Sequence, residues 1–329
     1  MRIFVTGATG LLGLNTVLYL LSKGHQVRAL VRNKKKFPDL NHEKLELTEG
    51  DIQILPKLKS SMRGCDFVVH CAALTRMDNT PFDDFYQSNV LGTKNIITSC
   101  ISNKVQRLIY IGSANLFGYG NRLNPGDESV SIYGPMKDSC YARSKLMAQN
   151  YIDSASDNLD IISLHPSFML GSNDLKPSSG KLIKTIMDKK LLFYPPGGKN
   201  FVNVKDVVCA IEHFLNHGQL GQSYLICNQN LTYRDFYKLT IKLNEQKSEM
   251  IPLKRPLLSA VGYLFEFLSI FKFHSAINRH NMASISIKNF YSNKKAVKAG
   301  VSFSPITEGI EDALNWFKNP IYGHIPGND

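Results

Sequence analysis

Thr6-Gly7-Ala8-Thr9-Gly10-Leu11-Leu12-Gly13 decides the fold of this chain, because it stands between a short apolar strand, Arg2–Thr6, and a helical run, Leu11–Lys23, that stops at Gly24. Its glycines follow a G-x-x-G-x-x-G spacing. Gly7 permits the sharp turn. Gly10 lets the backbone approach a pyrophosphate with no side chain in the way, and Gly13 lets the helix pack closely on the strand. The open N–H groups at the helix start, with Thr9, Leu11 and Leu12 around them, and the partial positive charge there then face the phosphates. A glycine trio alone is weak evidence. Placed after a strand and opening a helix, it is strong.

The runs on either side of this motif agree with it. Gln26–Val31, Asp66–His70, Arg107–Gly112 and Asp160–His165 read as strands, with Asp83–Ser102 and Asp138–Ala155 as helices between them. Alternation of this kind implies parallel β-α-β crossovers and a doubly wound α/β sheet of the Rossmann type. After His165 a series of Pro and Gly residues, from Pro166 to Gly198, breaks the chain into loops around one helix, Lys181–Lys189. Val204–His217 reads as a helix after a short strand, Ser223–Cys227 as a strand, and the rest as mainly helical, ending in Ile306–Lys318. The expected organisation is a dinucleotide-binding domain over 1–165, with a return segment near 201–217, and a smaller, mostly helical substrate lobe over 166–329.

Cofactor choice is read at the end of the second strand. A carboxylate there binds the ribose 2′-hydroxyl of NAD, and an arginine accommodates the 2′-phosphate of NADP. The run Val27-Arg28-Ala29-Leu30-Val31-Arg32-Asn33 holds no carboxylate, and Lys34, Lys35 and Lys36 follow it. Arg32 therefore favours NADP(H), with NAD left open. Asp51, after the third strand, is placed to meet the adenine amino group, or else to serve as a helix N-cap, and Ile52 to pack on the ring. Cys71-Ala72-Ala73 ends the fourth strand in small residues suited to a cofactor ribose. His70 before them reads as a structural histidine. Asn89, in the middle of a predicted helix, reads as a side chain bonded to neighbouring backbone.

Tyr141-Ala142-Arg143-Ser144-Lys145 lies on a predicted helix, so Tyr141 and Lys145 share one face. A phenol ordinarily holds its proton to a pH near 10. A nearby ammonium and the cationic ring of an oxidised nicotinamide favour phenolate, which would draw Tyr141 toward the working range as a proton donor. Tyr141 and Lys145 are also expected to meet the cofactor, with Lys145 placed to hold the nicotinamide ribose. Ser113, in Tyr110-Ile111-Gly112-Ser113-Ala114-Asn115, closes the fifth strand, where a ligand crevice is expected, and would hold a substrate oxygen beside Tyr141.

These residues together resemble the extended short-chain dehydrogenases/reductases, the epimerase/dehydratase superfamily. Asn89-Val90-Leu91-Gly92-Thr93, Phe201-Val202-Asn203-Val204-Lys205-Asp206-Val207 and Asn293-Lys294-Lys295-Ala296 carry the likeness through nearly the whole chain. Dehydratases of the superfamily place Thr-Asp-Glu where this chain has Ser113-Ala114-Asn115, so the acid/base pair for water loss is missing. Leu164-His165-Pro166-Ser167-Phe168-Met169-Leu170-Gly171 is similar to the dihydroflavonol reductase-like branch, which has Asn where this chain has His165. The resemblance implies that His165, Pro166 and Ser167 meet the cofactor. The expected activity is NADP(H)-dependent reduction of a ketone or aldehyde, or oxidation of the alcohol, with Tyr141 as proton donor. A nucleotide-sugar epimerase is the alternative, and a non-catalytic cofactor sensor a further one.

Composition bounds the remaining classes. The chain has 329 residues, 43% hydrophobic and 20% charged, an ordinary globular balance. Six cysteines without metal-site spacing imply buried thiols, no metal centre and a reduced, cytoplasmic setting. No leader is expected, since Met1–Val5 runs straight into the glycine motif. The net charge of +12 is concentrated late: nine Lys or Arg between Lys247 and Lys298 face only Glu249 and Glu266. This bias suits an anionic substrate or an acidic membrane surface, whereas no motif suits nucleic acid. Leu257–Phe271 is apolar nearly all round apart from Glu266, and at helical spacing such a segment is either buried or faces something non-aqueous. It is too short to span a bilayer. A hydrophobic carbonyl substrate and contact with a membrane surface are the expectations it carries, and a homodimer is left open.

Overall fold

The computed structural model describes residues 1–75, 80–269 and 279–320. Six strands come from the first half of the chain: β1 (Arg2–Thr6), β2 (Gln26–Val31), β3 (Leu45–Glu49), β4 (Phe67–His70), β5 (Arg107–Ile111) and β6 (Ile161–Pro166). The later strands are β7 (Phe168–Leu170), β8 (Leu191–Tyr194), β9 (Gly198–Asn203), β10 (Ser223–Ile226), β11 (Gln229–Thr232), β12 (Glu249–Pro252) and β13 (Lys288–Asn289). A seven-stranded sheet has the order β10-β6-β5-β4-β1-β2-β3, and every pairing in it is parallel. The winding reverses between β1 and β4. At that reversal the strand ends leave a crevice, where ligands bind in sheets of this kind.

Parallel strands covered on both faces must be apolar on both, and β1 shows it, with Ile3, Phe4 and Val5 fully buried. On one face, Leu14, Val17 and Leu21 of helix Leu11–Ser22 share a core with Ile3, Val5 and with Val207, Ile211 and Phe214 of helix Val204–Asn216. On the other face, Phe4, Val68 and Leu108 pack with Ile96 and Cys100 of helix Gly92–Ser102 and Ala148 and Ile152 of helix Cys140–Ala155. Arg107 fastens the far side. Its Nε donates to Asp160 at 2.7 Å, while Nη1 donates to the Phe214 and His217 carbonyls at 2.9 and 2.7 Å. Those carbonyls end helix Val204–Asn216, where a guanidinium satisfies acceptors that have no helical partner.

Several elements differ from their sequence expectation. The predicted helix Asp83–Ser102 is broken into a short turn, Phe82–Phe85, a π-helical stretch, Tyr86–Leu91, and helix Gly92–Ser102. Helix Lys181–Lys189 stops at Ile186, and Asp188 takes φ +57°, a left-handed conformation that ends helices. The second half carries two small sheets besides its helices: β11-β9-β13 with β7 on β9, and β12 beside β8. Cys209 is exposed, whereas Cys65, Cys100 and Cys227 are buried.

Candidate active site

Gly7 takes φ +69°, and a Cβ there would lie 2.7 Å from the Ala72 nitrogen, so the turn admits only glycine. A Cβ on Gly13 would collide with the Gly7 carbonyl oxygen. Gly10 precedes helix Leu11–Ser22, offers no side-chain cap and no acidic residue follows in the first turn. The first-turn N–H groups therefore lie open at the mouth of a cleft of about 370 Å³. A backbone cradle of this kind, closed to any side chain and lined by uncapped donors, fits the pyrophosphate of a dinucleotide.

The same cleft is lined by Gly7, Thr9, Gly10, Leu11, Leu12 and Gly13, by Arg32 at the end of β2, by Asp51 and Ile52 after β3, and by Cys71, Ala72 and Ala73 after β4. Arg32 is exposed there, and no carboxylate pairs with it among the described residues. Asp51 accepts the Gln53 N–H at 3.0 Å, which organises the turn after β3. The cleft has a further wall that the sequence reading left unassigned. Asp174, Lys176 and Ser178 line it from the loop after β7. Asp174 is buried and accepts the Ser178 and Gly180 N–H groups, each at 3.0 Å. Burial raises its carboxyl pKa, and these bonds oppose the rise. Glycine and proline pattern alone does not reveal which face of such a loop meets the cleft.

Asn89, Tyr141, Lys145, His165, Pro166 and Ser167 do not line this cleft. Asn89 is buried in the π-helical stretch and clamps the chain after β4: its Oδ1 accepts from the Leu74 N–H at 2.7 Å, and its Nδ2 donates to the Leu74 carbonyl at 3.0 Å and Ser144 Oγ at 2.9 Å. His165 is fully buried beneath Ser113. The Ser113 N–H donates to its Nδ1 at 3.3 Å, so Nε2 carries the proton and faces Ser223 Oγ at 3.1 Å. Burial lowers its pKa to about 3 and holds it neutral. His165 thus supports the backbone at Ser113, where the sequence led us to place it against the cofactor. His70 is likewise neutral, between Thr6 Oγ1 at 2.8 Å and Thr93 Oγ1 at 3.2 Å.

Ser139 caps helix Cys140–Ala155 by accepting the Ala142 N–H at 3.1 Å, which sets the helical phase one residue before Tyr141. Ser113 is hydrogen-bonded to the Tyr141 phenol, and its Oγ also accepts the Asn115 N–H at 3.2 Å. Lys145 is buried one turn further along, donating Nζ to the Ile111 carbonyl at 2.6 Å and lying 4.3 Å over the Tyr110 ring. Burial lowers the Lys145 pKa from 10.5 to about 7. The tyrosine itself departs from expectation: burial raises its pKa and the Ser113 bond opposes the rise. The Lys145 ammonium is engaged by the Ile111 carbonyl and the Tyr110 ring.

Ser113 also opens onto a smaller cavity of about 80 Å³, lined by Pro166, Ser167, Phe168 and Lys199 among others. Lys199 lies 5.2 Å over the Phe168 ring, and burial pushes its pKa down to about 8. Ser167 Oγ donates to Asn200 at 2.7 Å at the rear of this cavity. Pro166 and Ser167 therefore meet the Ser113 side of the site.

The described part of the apolar segment forms helix Arg255–Ser269; residues 270 and 271 lie outside the described residues. Leu258 is buried, whereas Leu257, Tyr263 and Leu264 are each more than half exposed, so the helix presents one apolar face outward. Among the described residues no helix is long and apolar enough to cross a membrane.

The family model for the NAD dependent epimerase/dehydratase family matches residues 3–227. A Synechocystis sp. protein that carries a dihydroflavonol 4-reductase name is 29% identical over 97% of this chain and 95% of its own length. The sterol demethylase protein B of Methylococcus capsulatus is 25% identical over 97% of this chain and 98% of its own. The crystal structure of the protein gox2253 superposes with a TM-score of 0.82 at 26% identity, covering 96% of this chain and 98% of that one.

Proposed function

The chain belongs to the NAD dependent epimerase/dehydratase family of NAD(P)-dependent oxidoreductase-type enzymes, and from that premise we propose that it is an NADP(H)-dependent reductase of a hydrophobic ketone or aldehyde, or the reverse alcohol dehydrogenase. The observation that carries this reading is the Ser113–Tyr141 hydrogen bond, with Lys145 one helical turn away. A nicotinamide dinucleotide held in the glycine cleft would supply or accept the hydride at the substrate carbon. Ser113, its hydroxyl oriented by the Asn115 N–H, holds the carbonyl oxygen. Tyr141 gives that oxygen its proton. Lys145, held at the Ile111 carbonyl one helical turn from Tyr141, keeps a second proton near the site.

The relatives' reductase and sterol demethylase names favour reduction or oxidation of an apolar carbonyl compound over isomerisation of a nucleotide sugar. The half-exposed Leu257, Tyr263 and Leu264 agree with an apolar ligand. NADPH consumption measured against aromatic, terpenoid and acyl carbonyl compounds, with nucleotide sugars in parallel, tests it. Net oxidation of NADPH with an apolar carbonyl compound is the expected result. Conversion of a nucleotide sugar with no net cofactor turnover would establish the epimerase instead.

Cofactor choice rests on Arg32. Titration of protein fluorescence is expected to give tighter binding of NADPH than of NADH. In Arg32→Ala the affinity for NADPH falls by about tenfold, the size of a lost charge-assisted phosphate contact, while that for NADH holds. Adding Val31→Asp moves the preference to NADH. Tighter binding of NADH by the unaltered protein sinks the assignment.

A further inference from the structure

The loop 171–180 is built as a fixed wall of the cofactor cleft. Asn173 takes φ +65°, and its Nδ2 donates to Asn15 Oδ1 at 3.1 Å. Asn15 Nδ2 donates in turn to the Ser172 carbonyl at 2.9 Å and the Leu11 carbonyl at 2.8 Å. The loop is thereby held against the first turn of the helix that opens the glycine cradle. Its other side is fastened by the Ser172 N–H, which donates to Asp312 of helix Ile306–Lys318 at 2.8 Å. Asp174 organises the interior of the loop through its bonds to Ser178 and Gly180.

Lys176 stands on this frame, exposed, lining the cleft and paired with no carboxylate among the described residues. Among the described residues, the cleft has two cationic side chains in its lining. Arg32 lies at the end of β2 beside Asp51 and Gln53, the adenosine side, whereas the Lys176 loop is anchored at Leu11 and Asn15, the pyrophosphate side. We propose that Lys176 binds the cofactor pyrophosphate from the opposite wall, completing with the uncapped helix start a clamp that draws on both halves of the chain. The proposal rests on the dinucleotide-binding reading of the cleft and is independent of which dinucleotide is preferred.

Pyrophosphate is common to NAD and NADP, and the 2′-phosphate is not. Fluorescence titration of Lys176→Ala with NADPH and with NADH separates the two contacts. Both affinities are expected to fall by the same factor, about 3- to 10-fold for an exposed charge on a phosphate, and to recover in Lys176→Arg. The loss should shrink as salt is raised, because an exposed pair is screened. Unchanged affinity for both cofactors overturns the proposal, and a loss confined to NADPH overturns it in favour of a 2′-phosphate contact. An unaltered protein that binds neither cofactor would refute the dinucleotide-binding reading itself, and with it this one.

Discussion

Tyr141→Phe is expected to lower kcat by about 10²-fold or more while cofactor affinity stays unchanged, because the change deletes the proposed proton donor and Tyr141 does not line the glycine cleft. The phenol is bonded to Ser113, and phenylalanine offers no group to replace that bond or the proton. The ring remains, and with it the packing of helix Cys140–Ala155. Steady-state turnover with the substrate found by screening, set beside an NADPH titration of the same protein, measures both quantities. Near-normal turnover in the phenylalanine variant would remove Tyr141 from the proton-transfer role.

Gly13→Ala is the second large effect. Its added methyl group meets the Gly7 carbonyl oxygen, which is backbone and cannot swing aside. The Gly7 turn is itself pinned by Ala72 at the end of β4, so relief must come from displacing the cradle or the helix. Overpacking of this kind costs about 1–3 kcal/mol of stability. The cradle must supply backbone donors at hydrogen-bond distance, so dinucleotide affinity is expected to fall by about 10²-fold, equivalent to losing two charge-assisted bonds. Urea unfolding and cofactor titration read the two effects separately. A variant that binds NADPH as the unaltered protein does would show that the close approach of Gly13 to Gly7 is dispensable.

Residues that owe their position to the winding of the sheet were open to sequence reading. Strand ends in a doubly wound sheet converge, so Arg32, Asp51 and Cys71 could be expected around one crevice from their places after apolar runs. Positions set by partners far along the chain were hidden. His165 lies under Ser113 because β6 runs beside β5, and only the register of those strands shows that its ring meets backbone. Asn89 turns toward Leu74 because the helix widens into a π-helical stretch, which apolar periodicity does not signal. Lys176 belongs to a loop whose orientation depends on Asn15 and Asp312, well over a hundred residues away in either direction. The small sheets of the second half have strands of two to six residues, too short for an alternation to stand out.

The place of β10 at the outer edge of the large sheet bears on how the protein comes to be made. β6 is buried along its whole length, and its outer edge is paired only when Ser223–Ile226 arrives. A ribosome moving from the first residue to the last exposes β6 well before it supplies that partner. During this interval the nascent chain presents an open, apolar strand edge, the kind of surface on which chains associate wrongly. Arg107 is in the same position, since the Phe214 and His217 carbonyls that receive it are translated more than a hundred residues later. Synthesis of this protein therefore carries a vulnerable phase that ends with the docking of β10, and a chain cut short before residue 223 never leaves it.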